Sequence, residues 1–368
     1  MRNRSVVRTQ DGFTVIEMLV STSVLLLLMA TALGTYDRSL HLSDYATQLA
    51  DANQNLRAGI SQLVRDVMQA GRIVGPQGVP IPSGFGAQPV RRPGPPGSSL
   101  TFDVTSTTNL PDITSGYQLG PTINGVATDI ITLLTVDAFM PVIETPPIDT
   151  VDANEGTIDP DGGLVTVPSN SLWTAGDTTN DTPPIRVGDI VLFKNSRGMA
   201  IQTVTRVDGT HLYFDTGDWF VLNQRTAPQG TVIQIKNAPD VTTPWSERTS
   251  LFRLVLTTYY VDTVSTPGSP RLMRMVNHFT PQSLSGTVEG LTFTYDLVDG
   301  VHNPVDVQSL PYSSPLTALV YNANQIRKVN VKVGARSESV TRTGDYVRNV
   351  VSTSVDVRSL GSVDRYDH

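Results

Sequence analysis

Two groups of carboxylates are the side chains most able to do chemistry in this 368-residue chain. The first is a single residue, Glu17, the only charged side chain in the run FTVIEMLVSTSVLLLLMATAL that spans 13–33. A carboxylate inside an apolar helix costs about 2.5–3.5 kcal/mol on membrane insertion, and it becomes tolerable when a cation meets it. The chemistry it suggests is therefore ion pairing. The second group is Asp152, Asn154, Glu155, Asp159 and Asp161, followed by Gly162-Gly163, with Asp177, Asn180 and Asp181 further on. Oxygen-rich loops of this kind hold calcium. They lack the EF-hand spacing, and Asp and Asn are also the ordinary residues of turns. Turn chemistry is the first reading, and calcium held by Asp152, Asn154, Asp159 and Asp161 is the second.

Other chemistries find little support. There is no cysteine, which excludes disulfides, thiolate metal sites and a cysteine nucleophile. The four lysines (Lys194, Lys236, Lys328 and Lys332) stand in no phosphate-binding loop. The five histidines have no paired metal-ligand spacing, and no G-x-S-x-G elbow is present. With a formal charge of −7 the chain has no basic footprint for nucleic acid. A non-enzymatic protein is expected.

The elements that must position Glu17 are legible. Residues 1–12, MRNRSVVRTQDG, carry three arginines and one aspartate. Fifteen of the 21 residues from 13 to 33 are apolar, and a helix of that length rises about 31 Å, enough to cross a bilayer core. Basic residues ahead of it predict a cytoplasmic N-terminus, with the bulk of the chain across the inner membrane. Three readings compete: a cleaved signal peptide with Ala30-Thr31-Ala32 as its site, a plain anchor, and a prepilin-type signal. Beyond the span, Leu42, Tyr45, Leu49, Ala52, Leu56, Ile60, Leu63, Val67 and Ala70 recur every three or four residues, as one apolar stripe of a helix does. The spacing predicts one helix over about 13–70, roughly 87 Å long, with Gly71 as its cap and Pro76 beyond.

Gly12-Phe13-Thr14-Val15-Ile16-Glu17, between a basic leader and an apolar helix, resembles the type IV prepilin motif. The resemblance implies that a prepilin peptidase cuts between Gly12 and Phe13 and N-methylates Phe13. It implies too that Glu17 neutralises the N-terminal amine of a neighbouring subunit. A helix this long is similar to the spine of pilins and pseudopilins, its first half in the membrane or filament core and its second half against a head.

Residues 75–97, GPQGVPIPSGFGAQPVRRPGPPG, are mostly Gly and Pro and read as an irregular connection over the surface, with Arg91 and Arg92 solvated. From Leu100 the pattern is strands. Candidates are 100–105, 129–136, 189–194 and 199–207 around an Asn195–Gly198 turn, 211–214, 219–222, 231–236, 251–262, 271–279, 288–296, 326–336 and 346–358. The alternation of Val329, Val331 and Val333, and of Val351, Val355 and Val357, implies antiparallel sheets with one buried face. Several of these strands, with Val187–Phe193, Thr258–Val261, Arg271–Arg274 and Val288–Tyr295 in order, resemble PilW-type minor pilins, and GspJ-type pseudopilins share the plan.

The fold class expected is α+β: a long N-terminal helix, membrane-spanning in its first half, packed on an antiparallel β-rich head, pilin-like. The expected divisions are a leader (1–12), a transmembrane or filament-core helix (13–35), its amphipathic continuation (36–72), a Pro/Gly-rich linker (73–98) and a head (99–368) with a loop-rich insertion at about 107–185. The resemblance implies a minor pilin that waits in the inner membrane, head in the periplasm, and then initiates or caps a pilus at the cell surface. Its partners would be prepilin peptidase, other minor pilins and the major pilin. A GspJ-type pseudopilin of type II secretion and a pilus-tip adhesion module are the alternatives.

Overall fold

The computed structural model describes residues 12–72, 74–75, 77–102, 108–137, 143–145, 157–158, 162–166, 185–235 and 249–360. A single helix, α1, runs from Val15 to Gln69. No proline interrupts it, and its end follows from Gly71, whose φ of +74° suits a residue without a side chain. The Gly71 amide does not close the helix. It bonds Leu134 O at 3.0 Å and so ties the helix end to a strand.

The main sheet has ten strands: β1 (Ile113–Thr114), β2 (Ile131–Val136), β3 (Ile143–Thr145), β4 (Ile190–Asn195), β5 (Gly198–Thr203), β6 (Thr249–Asp262), β7 (Arg271–Val276), β8 (Gln282–Leu297), β9 (Ile326–Val340) and β10 (Tyr346–Asp356). The path is β5-β4-β6-β7-β8-β9-β10, and every strand pairing among the described residues is antiparallel. The long strand β6 organises it. One edge of β6 takes β4 and then β7, while the other takes β3 and then β2, which in turn carries β1. The architecture is α+β: one long, apolar-fronted helix and a large antiparallel β region.

The helix lies across β8, β9 and β10, where Leu56, Ile60, Leu63, Val67 and Ala70 share one core with Leu291, Phe293, Val331, Val333 and Val355. Gly59 permits the approach: a Cβ there would stand 3.2 Å from Ser285 Cβ and 3.3 Å from Leu284 O. Strand β4 is buried on both faces. Ile190 and Leu192 join one cluster, and Val191 and Phe193 join another beneath a four-stranded sheet of Thr157–Ile158, Leu164–Thr166, Arg206–Asp208 and His211–Tyr213. That two-sided burial is why its sequence is a continuous apolar run.

Several expectations are corrected. The stripe does not bury from Leu42. Leu42 and Tyr45 are exposed at 71% and 48%, and burial starts at Ala52, because beyond it β9 sets the polar Ser337, Glu338 and Ser339 across a cleft from Gln48 and Asp51. The Pro/Gly-rich linker is irregular but does not run over the surface. Val79, Ile81 and Val90 are buried against β4 and β6, and Arg92 is only 4% exposed. Residues 219–222 are a turn, since Val221 adopts φ +61° and the Asp218 carboxylate accepts from the amides of Leu222 and Asn223, both at 3.0 Å. The 231–236 segment contains a short helix, Val232–Ile235. At 100–105 the described part makes one bridge, Arg91 to Thr101. The strand expected at 129–136, within the 107–185 segment, is present as β2, paired with the centre of β6.

Candidate functional site: the start and the docking of the long helix

The residues singled out by sequence stand together at the start of α1. Thr14 is the N-cap, extended at φ −74° and ψ 150°. Its hydroxyl accepts from Glu17 N at 3.3 Å, and the Glu17 carboxylate accepts from Thr14 N at 3.0 Å and from the Thr14 hydroxyl at 2.9 Å. This is a capping box, in which two helix-start amides that would otherwise lack acceptors are satisfied reciprocally. Glu17 therefore has a role within its own chain beside the pairing expected of it. The T-x-x-E spacing was legible in the sequence and adds Thr14 to the site. Phe13 is 87% exposed, and nothing lies within 4 Å of the place a Gly12 side chain would occupy, so the Gly12–Phe13 bond is sterically open.

From here the helix is predominantly apolar. An 18-residue window reaches a mean hydropathy of 2.1 with none of it buried by the rest of the chain. Its hydroxyls bond back into the helix: Thr22 to Met18 O at 2.9 Å, Ser23 to Leu19 O at 2.8 Å, and Thr31 to Leu28 O at 2.8 Å. Internal satisfaction of this kind is what a bilayer core demands. The helix is long and apolar enough to span a membrane once. It then continues, still outside the core, to Ala52, the first buried residue, so that about 55 Å of helix at 1.5 Å per residue precedes the apolar core. The tip of the β9–β10 hairpin follows it, with Arg342 Nη1 3.8 Å from Asp37.

Where the helix docks, a half-buried carboxylate stands at the edge of the apolar contact. Asp66 accepts from Tyr259 OH and from Arg274 Nε, both at 2.7 Å, and from Gln62 Nε2 at 2.9 Å. Burial and the neighbouring carboxylate hold the Tyr259 hydroxyl well above its usual range. Burial alone would lower Arg274, but its bond to Asp66 and that charge raise it. Nothing in the sequence linked residues 66, 259 and 274, because the sheet alone brings them together. A fully buried carboxylate stands at the helix end. Asp112 is 2% exposed and neither oxygen has a hydrogen-bond partner; burial pushes its pKa up to about 7.

The calcium candidates Asp152, Asn154, Asp159 and Asp161 lie outside the described residues, as do Glu155, Asp177, Asn180 and Asp181. Among the described residues no three His, Asp or Glu side chains gather as metal ligands. The histidines there are dispersed. His278 stacks on Trp219 at 4.1 Å between ring centroids, His211 on Tyr213 at 6.5 Å, and His302 Nδ1 meets Asp299 at 3.1 Å. Comparison with family models, with curated proteins and with solved structures returns no match.

Proposed function

We propose that the chain is a filament subunit of the type IV pilin class, a PilW-type minor pilin with a pilin-like fold. Prepilin peptidase cuts Gly12–Phe13 and methylates the Phe13 amine. The apolar half of the helix holds the protein in the inner membrane with its head in the periplasm. It then passes into the filament core with other minor pilins and the major pilin, and the bulky head sits at the pilus tip. The observation that carries this reading is the continuity of α1. One unbroken helix begins at a Gly-Phe-Thr-x-x-Glu start, is predominantly apolar and unburied over a membrane's thickness, and ends packed on an antiparallel sheet. A cleaved signal peptide has no need of such continuity, because cutting after Ala32 would leave residues 33–51 as an exposed rod with nothing to insert into.

Glu17 is already engaged by the Thr14 amide, one residue from the amine that cleavage would create. In the filament the same carboxylate meets a neighbour's amine, which offsets the desolvation of both charges. Mass spectrometry of the mature protein tests the reading. An N-methylated Phe13 is expected, and a mature N-terminus at Leu33 overturns it. Loss of piliation in Glu17→Ala is the expected second result, and normal piliation counts against the assembly role.

A further inference from the structure

A cleft of about 490 Å³ opens between β1, the connection from β8 to β9, and the linker. Its size is that of a small-ligand site. Arg92, Phe102, Thr114, Leu119, Pro311 and Asn324 line it. The guanidinium of Arg92 is 4% exposed and bonds only neutral acceptors: Thr132 Oγ1 at 2.9 Å, Ser115 O at 2.8 Å, Thr114 O at 3.0 Å and Ile130 O at 3.3 Å. No ion pair joins it to a carboxylate among the described residues. The nearby Asp129 is taken by the amides of Gln118 and Phe293, both at 2.8 Å. Burial moves the Arg92 pKa down to about 10, so it stays charged at neutral pH.

A buried cation is ordinarily paired, since an unpaired charge in the interior is costly. A guanidinium carries five N–H donors, and the four bonds above leave one Nη1 hydrogen unused. Two further lining atoms, Thr114 Oγ1 and Asn324 Oδ1, are buried without any hydrogen-bond partner. Beside them stand the Phe102 ring, whose centroid is 6.0 Å from the guanidinium carbon, and the apolar lip of Leu119 and Pro311. A fixed cation, a hydroxyl, an amide and an aromatic wall within one small cleft match a ligand with a carboxylate, several hydroxyls and an apolar ring face. We propose that this cleft binds a carboxylated saccharide, its acid group meeting Arg92 and its hydroxyls meeting Thr114 and Asn324. Charge-assisted bonds to arginine are the strongest of this set and select the acid.

The test is titration calorimetry of the full chain in detergent micelles with glucuronate, glucose and inorganic phosphate. Saturable one-site binding of glucuronate is expected, at least tenfold tighter than glucose or phosphate. Leu119→Trp should abolish it by filling the mouth, because Leu119 is 46% exposed and not part of the core. Thr114→Val should weaken it several-fold. Arg92→Gln is a less useful variant, because Arg92 also holds three backbone carbonyls and its loss can unfold the head. Absence of saturable glucuronate binding overturns the proposal, as does equal binding of glucose or phosphate, or unchanged binding in Leu119→Trp. Each of these failures leaves the pilin reading intact, since N-methylation of Phe13 does not depend on the cleft.

Discussion

Replacing Asp112 by Asn should make the protein more stable, and more so as pH rises. Asp112 is 2% exposed, sits against the end of α1 beside Gly71 and Ser359, and has no donor to either oxygen. It also stands near the negative end of the helix dipole, where a second negative charge is unfavourable. Its pKa rises from 3.8 to about 7 for one reason, loss of solvent. The folded state therefore binds this proton more tightly than the unfolded chain. The resulting stability is fully present below the unfolded pKa and is lost as pH rises through the folded one. At about 1.36 kcal/mol per pH unit, the loss totals about 4 kcal/mol between pH 4 and 7, of which about 3 kcal/mol falls above pH 5. In Asp112→Asn the charge is gone and this contribution is flat. Urea unfolding of both proteins in detergent micelles at pH 5, 6, 7 and 8 measures it. The stability of the variant relative to wild type should grow by about 3 kcal/mol from pH 5 to pH 8. Taking the difference removes other titrating groups, such as His278, whose pKa burial lowers. A difference that stays constant across this range would refute the assignment of an unpaired buried carboxylate.

Other outcomes follow from the same packing. Asp66→Ala leaves Arg274 and Tyr259 without their acceptor under the helix and should cost about 3–5 kcal/mol in a urea midpoint assay; Asp66→Ala with Arg274→Met should recover much of it. Gly71→Ala should destabilise by about 1–3 kcal/mol, since φ is +74° and the new Cβ would lie 2.4 Å from Asp112 Oδ2. Combined with Asp112→Ala it should cost less than alone, which a double-mutant cycle reads. Thr14→Ala removes one half of the capping box and should cost the first helical turn about 0.5–2 kcal/mol. Faster amide exchange at residues 16–18 than in wild type would show it.

The sequence by itself determined the elements that local physics governs. The apolar run and its unbroken continuation set a helix of the observed length, because periodicity and the absence of proline act within a few residues of each position. The alternating valines of β9 and β10 announced an antiparallel sheet with one buried face, and the Asn195–Gly198 turn announced the β4–β5 hairpin. Only the tertiary structure decided what those elements meet. A Gly/Pro-rich linker that looks solvated became part of the core because β4 and β6 offer it an apolar surface. Arg92 was drawn inside by carbonyls from residues 114, 115 and 130, and Asp66 was matched to side chains near residues 259 and 274. Burial of the stripe began at Ala52, ten residues after its first leucine, because the side chains that the sheet presents set where packing starts, not helical period. Glu17 shows both sides. Its place in an apolar run was plain from the residues, while its bonds to Thr14 needed coordinates, since only the closed first turn brings a residue at i+3 back to the amide at i.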